Sequence, residues 1–201
     1  MMECIGKVCS ANKLVSGKLN KMTNEQIKYS IETGEMKLGN WDKFAHYRIF
    51  GSLFIIPAMF IFFHLKDYFQ GTSRPFREGE IWFMIIPSIL GLLFYRLQKS
   101  RLKFKSIDTK LTRDELELII EKLANELEWT PYVKNKKVII AKTHPSFFSG
   151  SWGEQITILF DKNRVLVNSI CDPDKRSSVV SMGRNKKNMD RLTEEIIKAS
   201  Y

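Results

Sequence analysis

Few residues stand out as candidates for catalysis or metal binding, and most of them lie in the second half of the 201-residue chain. His144 is the only histidine there, and the run Cys171-Asp172-Pro173-Asp174 places one thiol beside two carboxylates. Nucleophilic and metal sites need several such groups at a suitable spacing, and neither a second histidine nor a C-x-x-C pair follows. We therefore predict no catalytic residues and no metal site, with Asp172 and Asp174 as turn formers.

The longest irregular stretch, residues 142–153, carries aromatic and small side chains. Its candidate surface residues are His144, Phe147, Phe148 and Trp152. Such a loop on a rigid scaffold could form a binding surface, and the alternative is that its rings tuck under a sheet or rest on lipid headgroups. Because Gly150 and Gly153 match neither the G-x-G-x-x-G nor the P-loop pattern, we predict no cofactor.

A basic cluster precedes and begins the last predicted helix. Its members are Arg176, Arg184, Lys186 and Lys187. Free backbone amides at a helix N-terminus favour anions, so these residues predict a site for a lipid headgroup or a phosphorylated ligand. The alternative is a solvated basic face that is balanced by Asp190 and Glu194 further along the same helix.

A second basic cluster accounts for much of the formal net charge of +10. Its members are Arg96, Lys99, Arg101, Lys103 and Lys105, with no acidic residue among them. Residues 106–201 are nearly balanced, with 16 basic and 14 acidic side chains. Because the cluster directly follows an apolar run, it predicts contact with anionic lipid and no nucleic-acid partner.

The position of these clusters depends on two apolar runs that precede them in the chain, Ile49–Leu65 and Ile81–Tyr95. At 1.5 Å per residue they measure about 25 and 22 Å, somewhat less than the ~30 Å hydrocarbon core. Flanking aromatic and cationic residues extend them, and neither run has a polar face. We predict transmembrane helices at about 47–67 and 81–97; the alternative is a pair of buried core helices.

Prolines and flanking charges add detail to this hairpin. Pro57 and Pro87 lie near the middle of the two runs and predict kinks. The connecting segment 66–80 holds three basic and three acidic residues, whereas basic residues dominate outside both runs. The positive-inside rule therefore predicts an integral protein of the bacterial inner membrane with both termini in the cytoplasm.

The chain after the hairpin predicts a cytoplasmic α+β domain over residues 98–201. Thr112 and Glu115 form a capping box that begins a helix. Strands are predicted at 132–133, 138–141, 156–160 and 165–170, with a short fifth strand at 179–182 and a last helix at about 186–199. The predicted fold class is a membrane α-helical hairpin plus an antiparallel sheet of four or five strands with two helices on one face.

Residues 1–46 are predicted to form a cytoplasmic N-terminal arm, which leaves residues 47–97 as the hairpin. Thr23–Glu32 could form a short helix that ends at Gly34. This helix lacks a long apolar face, so we expect it to stay in solvent.

The arrangement of a two-span hairpin followed by a β-rich domain and a closing helix resembles small bacterial membrane proteins with PH-like or YcxB-like C-terminal domains. The sequence Gly153–Asn188 (GEQITILFDKNRVLVNSICDPDKRSSVVSMGRNKKN) also resembles membrane proteins of Bacteroidota without an established function. The chain departs from the PH pattern because it opens with a helix at 113–128 and offers only four or five strands. The resemblance implies a membrane-anchored cytoplasmic domain and carries over no site residue.

These observations predict a membrane-anchored interaction or regulatory module rather than an enzyme. The expected partners are the lipid bilayer and anionic headgroups, and a protein partner or a second copy of the chain is also compatible. Two alternatives stay open. One is a small membrane-bound enzyme that acts on a lipid or small molecule through His144, Asp172 or Cys171, and the other is an accessory subunit of a membrane complex.

Overall fold

The computed structural model describes residues 22–72, 74–146, 149–175, 178 and 181–200. This part of the chain contains six helices: α1 Asn24–Thr33, α2 Asn40–Leu53, α3 Ile55–Phe69, α4 Trp82–Ser100, α5 Arg113–Glu126 and α6 Arg184–Ser200. It also contains five strands: β1 Lys105–Asp108, β2 Trp129–Lys134, β3 Val138–Thr143, β4 Glu154–Asp161 and β5 Arg164–Cys171. The strands form one antiparallel sheet in the order β1-β5-β4-β3-β2, which confirms the predicted α+β fold.

The fifth strand is not the one that the sequence predicted. It is β1, a four-residue strand that follows α4 and pairs with β5 at the edge of the sheet. Of the predicted strand 179–182, residues 179 and 180 lie outside the described part of the chain, and Ser181 and Met182 are not in a strand. Ile107 is the one apolar and the one buried residue of β1, so this strand lacks the apolar run that marks β3, β4 and β5.

Helices α5 and α6 cover one face of the sheet, as predicted. The capping box at the start of α5 is present, since the side chains of Thr112 and Glu115 each accept a hydrogen bond from the other's backbone amide. Leu123 of α5, Ile156 of β4 and Ile196 of α6 are completely buried in the core between these layers. Each such side chain contributes about 1.5–3 kcal/mol when it leaves water, so this core fixes α6 along the sheet.

The opposite face of the sheet is covered by α1, which belongs to the predicted arm. The helix and its end at Gly34, where φ is 67°, are confirmed. Ile27 and Ser30 are buried, and Ile27 packs with Ile140 and Leu159 in a second core cluster. The prediction that this segment stays in solvent is therefore wrong, because a few apolar anchors hold a helix whose face is otherwise polar.

Helices α2, α3 and α4 form a hairpin that follows α1 and precedes the sheet in the chain. The chain breaks at Phe54, and α2 and α3 are bent by 50° relative to each other. Pro57 explains the break, since it offers no N–H to the carbonyl of Leu53 and its ring clashes with that group. The kink predicted for the first apolar run is thus confirmed, whereas α4 continues through Pro87.

Within the described residues, no single helix has both the length and the apolar composition of a membrane span, although α2 and α3 meet those criteria together as a bent pair. The first predicted span, 47–67, is therefore divided between two helices. The second predicted span, 81–97, corresponds to α4, which covers residues 82–100.

A reciprocal contact joins α2 and α4 at the base of the hairpin. The side-chain amide of Gln98 donates to the backbone carbonyl of His46, and Nε2 of the His46 ring lies 3.0 Å from the carbonyl oxygen of Gln98. Next to this pair, the ring of Tyr95 packs against Tyr47 and Phe50 with centroid distances of 5.5 and 5.1 Å. The two helices are therefore held side by side where they meet the domain.

The strand register places one end of the sheet beside this base. Lys105, the first residue of β1, pairs with Val167, so residues 168–171 of β5 extend past β1 toward α4. The side-chain amide of Asn168 donates to the backbone carbonyls of Arg101 and Lys103, both over 2.8 Å. The segment after α4 is thereby fixed to the sheet.

We call this end of the sheet the junction end. In the four longer strands it is marked by Trp129, Thr143, Glu154 and Cys171, which lie next to one another by strand pairing. The opposite, distal end carries the turns at 135–137 and 162–163. Helix α6 starts at the junction end and finishes at the distal end.

Candidate functional site

A groove of about 310 Å³ lies at the junction end, between the segment after α4 and the start of α6. Arg101 and Lys103 line one wall, and Gly183, Asn185 and Lys186 line the other. The three cations Arg101, Lys103 and Lys186 come from two basic clusters that are far apart in the sequence. Three cations beside the N-terminus of a 17-residue helix complement the charge of an anion.

A turn and a polar cluster position the start of α6. Gly183 has a left-handed backbone with φ 80°, and the amide of Arg184 donates to the carbonyl of Ser181 over 2.9 Å. Asn185 is buried, and its Oδ1 accepts a hydrogen bond from the Ser169 hydroxyl on β5 at 3.0 Å. Polar contacts to the sheet therefore hold the helix start in place at the groove.

Glu154 organises the loop that precedes β4 and is itself 0% exposed. Its carboxylate accepts hydrogen bonds from the hydroxyls of Thr143 and Ser151. It also forms an ion pair with Arg184, whose Nε lies 3.1 Å from Oε1. Arg184 is therefore engaged by an internal carboxylate, and the cation that α6 presents to the groove is Lys186.

Lys142 forms a second buried polar cluster on the other face of the sheet. Its Nζ lies 2.9 Å from Asp172 and 2.6 Å from Asp174, and it also lies 4.5 Å from the centre of the Tyr132 ring. Burial by itself would lower the pKa of Lys142, but the hydrogen bonds to Asp174 and Asp172 raise it above the ordinary value. This cluster ties the residues after β5 to β3.

Asp172 and Asp174 form the turn that the sequence predicted. The Asp172 carboxylate accepts a hydrogen bond from the backbone amide of Asp174 at 3.1 Å, and its carbonyl accepts one from the amide of Lys175. Their contact with Lys142 is an additional role, which nothing in the spacing of these residues indicated.

The remaining basic candidates have different positions. Arg96 and Lys99 are exposed on the last turns of α4, and Lys187 is exposed on α6. Lys105 forms an ion pair of 3.3 Å with Asp190, which also lines the groove. Arg176 lies outside the described residues.

The loop candidates also lie at the junction end. Trp152 is 42% exposed, and His144 is exposed with its Nδ1 3.1 Å from Nζ of Lys175. The loop touches the start of α6, because a side chain on Gly150 would lie 3.0 Å from Met182. Phe147 and Phe148 lie outside the described residues.

The three residues of the enzyme alternative do not converge. Cys171 lies on the face covered by α6, where its Sγ accepts a weak hydrogen bond from Asn185 at 3.8 Å. Burial raises the pKa of its thiol, which disfavours the reactive thiolate. Asp172 binds Lys142 on the opposite face, and His144 contacts Lys175. The geometry therefore gives this alternative no shared pocket.

No family model, curated protein or solved structure matches this chain. The resemblance to PH-like and YcxB-like proteins stays a prediction.

Proposed function

We propose that this protein is a membrane-anchored interaction module whose α+β domain docks on an anionic lipid surface through its junction end. The hairpin of α2, α3 and α4 inserts in the bilayer, and both termini are cytoplasmic. The groove lined by Arg101, Lys103 and Lys186 then binds the phosphate of a headgroup, and Trp152 and Met182 rest at the interface.

One observation carries this proposal: the basic segment after α4, the start of α6 and the loop with Trp152 all lie at the same end of the sheet. This is also the end at which the hairpin joins the domain. A module that is fixed to a bilayer by α4 would present this end to the headgroups. Each juxtamembrane lysine or arginine contributes about 1 kcal/mol of attraction to an anionic leaflet.

The side chains of the hairpin support its insertion. Large apolar residues such as Phe62 and Phe83 are 63% and 67% exposed, and many others on α3 and α4 are also exposed. Continuous apolar surface of this kind marks a membrane or protein contact. The apolar part of α4, from Trp82 to Tyr95, is about 21 Å long, and a bilayer accommodates a span of this length by thinning locally and by snorkelling of Arg96.

Hydrogen–deuterium exchange of the full chain in lipid nanodiscs tests the proposal. We expect the amides of 149–153 and 181–187 to exchange more slowly in discs that contain phosphatidylglycerol than in discs of phosphatidylcholine alone. The Lys103→Gln/Lys186→Gln variant removes about 2 kcal/mol of attraction, so most of this difference should disappear.

The matched control is Lys137→Gln/Lys162→Gln, because both of these exposed lysines lie at the distal end. This variant should keep the full lipid-dependent protection. Equal exchange in both kinds of disc would contradict the proposal, as would failure of the chain to enter discs at all. Protection that depends on protein concentration instead of lipid charge would identify a second copy as the partner.

A further inference from the structure

We propose that a second groove, on the α1 and α2 side of the hairpin base, binds one anionic glycerophospholipid. The inference rests on the proposed membrane insertion, but not on docking of the junction end. The groove has a volume of about 830 Å³, within the range of small-molecule sites. It lies between the segment that joins α1 to α2 and the last turns of α4.

The floor of this groove is aromatic and apolar. It is formed by Tyr47 and Phe50 of α2 and by Tyr95 of α4, whose rings pack against one another. Phe44 extends the same surface and is 57% exposed. Such a floor suits the glycerol and upper acyl region of a lipid better than a soluble, fully hydrated ligand.

The rim of the groove is cationic. Lys37, Lys43 and Lys99 line it and are exposed, and Glu35 is the acidic residue among the lining side chains. Among the described residues, no carboxylate lies within 4.0 Å of the ammonium groups of these three lysines. Lys37 is oriented by the ring of Tyr29, whose centre lies 5.2 Å from Nζ. A cationic rim beside an apolar floor complements an amphiphile with a phosphate head.

The position of the rim fits the depth at which a phosphate would lie. Lys99 is on the last turn of α4 and Lys43 is near the start of α2, so both flank the apolar hairpin at its domain side. The reciprocal contact between His46 and Gln98 keeps the two helix ends together. The site therefore exists before a ligand arrives, which lowers the entropy lost on binding.

Native mass spectrometry tests the inference with the full chain, released from discs that contain phosphatidylglycerol and phosphatidylcholine in equal amounts. We expect one phosphatidylglycerol to be retained preferentially. Lys43→Gln/Lys99→Gln should reduce this preference about thirtyfold, and Lys43→Arg/Lys99→Arg should restore it. Lys137→Gln/Lys162→Gln, at the distal end of the sheet and outside both grooves, is the matched control and should leave retention unchanged.

Equal retention by the wild-type chain and Lys43→Gln/Lys99→Gln would overturn the inference. Displacement of the signal by inorganic phosphate would also overturn it, because it would identify a site for free anions. Loss of retention in Lys103→Gln/Lys186→Gln alone would assign the lipid to the junction-end groove. The two proposals can fail separately. Hydrogen exchange at 149–153 and 181–187 that does not depend on lipid charge would contradict docking of the junction end. If Lys43→Gln/Lys99→Gln still loses its bound lipid in that case, the lipid site in the second groove is supported on its own.

Discussion

The side-chain amide of Asn168 donates a hydrogen bond of 2.8 Å to the backbone carbonyl of Lys103. Asn168 is fully buried in the middle of β5, and Lys103 follows the last turn of α4. A second bond of the same length reaches the carbonyl of Arg101. These contacts couple the direction of α4 to that of the sheet, and so decide which end of the domain lies next to the hairpin.

Replacing Asn168 with alanine should loosen this coupling. Two partly buried carbonyls would lose their donor, and at about 0.5–1.5 kcal/mol for each hydrogen bond this lowers the unfolding free energy by about 1–3 kcal/mol. Chemical denaturation of the purified chain, together with exchange at residues 100–105, measures both effects. Asn163→Ala, in the exposed turn at the distal end, should change neither. An unchanged stability in Asn168→Ala would show that the carbonyls are satisfied in another way.

The buried cluster around Lys142 predicts a larger loss. Lys142→Met would leave Asp172, which is 3% exposed, without its cation. Removing one partner of a buried ion pair costs about 3–5 kcal/mol. Thermal unfolding should therefore occur at a clearly lower temperature, whereas Lys162→Met at the exposed distal turn should have little effect. A Lys142→Met protein as stable as wild type would refute the role of this cluster.

The same cluster predicts a pH dependence. The pKa of Lys142 is raised on folding, so its contribution is fully present below the ordinary value of 10.5 and is lost as the pH rises through the folded-state pKa. The difference in unfolding free energy between wild type and Lys142→Met should thus stay constant in alkaline solution up to about pH 10.5 and decrease above it. Denaturant titrations over an alkaline pH series measure this difference. A stability difference that increases with pH would contradict the conclusion that folding raises the pKa of Lys142.

The hairpin helices pack closely at Gly91. A side chain there would lie 2.5 Å from a ring carbon of Phe54, at the break between α2 and α3. Gly91→Ala should therefore destabilise the hairpin by about 1–3 kcal/mol, and adding Phe54→Leu should restore much of this. Gly51→Ala is the matched control, since nothing lies within 4 Å of its added carbon. Melting of the detergent-solubilised chain compares the variants, and equal melting of Gly91→Ala and Gly51→Ala would exclude the close contact.

The sequence predicted the parts of the fold that repeat a pattern. The Thr112 capping box, the apolar runs of β3 to β5 and the stripe of α6 each follow from the local sequence, and all are present. It missed β1, because only one of its four residues is buried. It also assigned α1 to solvent, because the packing of Ile27 depends on a sheet that is distant in the chain.

The candidate site was predictable in its residues but not in its arrangement. Lys103 and Lys186 stood out as members of basic clusters, yet only the antiparallel register brings them to one groove. Lys142 and Glu154 were missed entirely. Each is a charged residue at the end of an apolar strand. That position alone does not indicate a buried ion pair, because the partner of opposite charge is distant in the sequence.

The most direct test of the docking account is photo-crosslinking of the full chain in nanodiscs that contain phosphatidylglycerol. A photoreactive phenylalanine analogue is placed at Trp152 in one protein and at Asn163, at the distal end, in another. Docking through the junction end should give lipid adducts at position 152 and none at position 163. Adducts at position 163 alone, or equal adducts at both positions, would contradict the claim that the junction end faces the membrane.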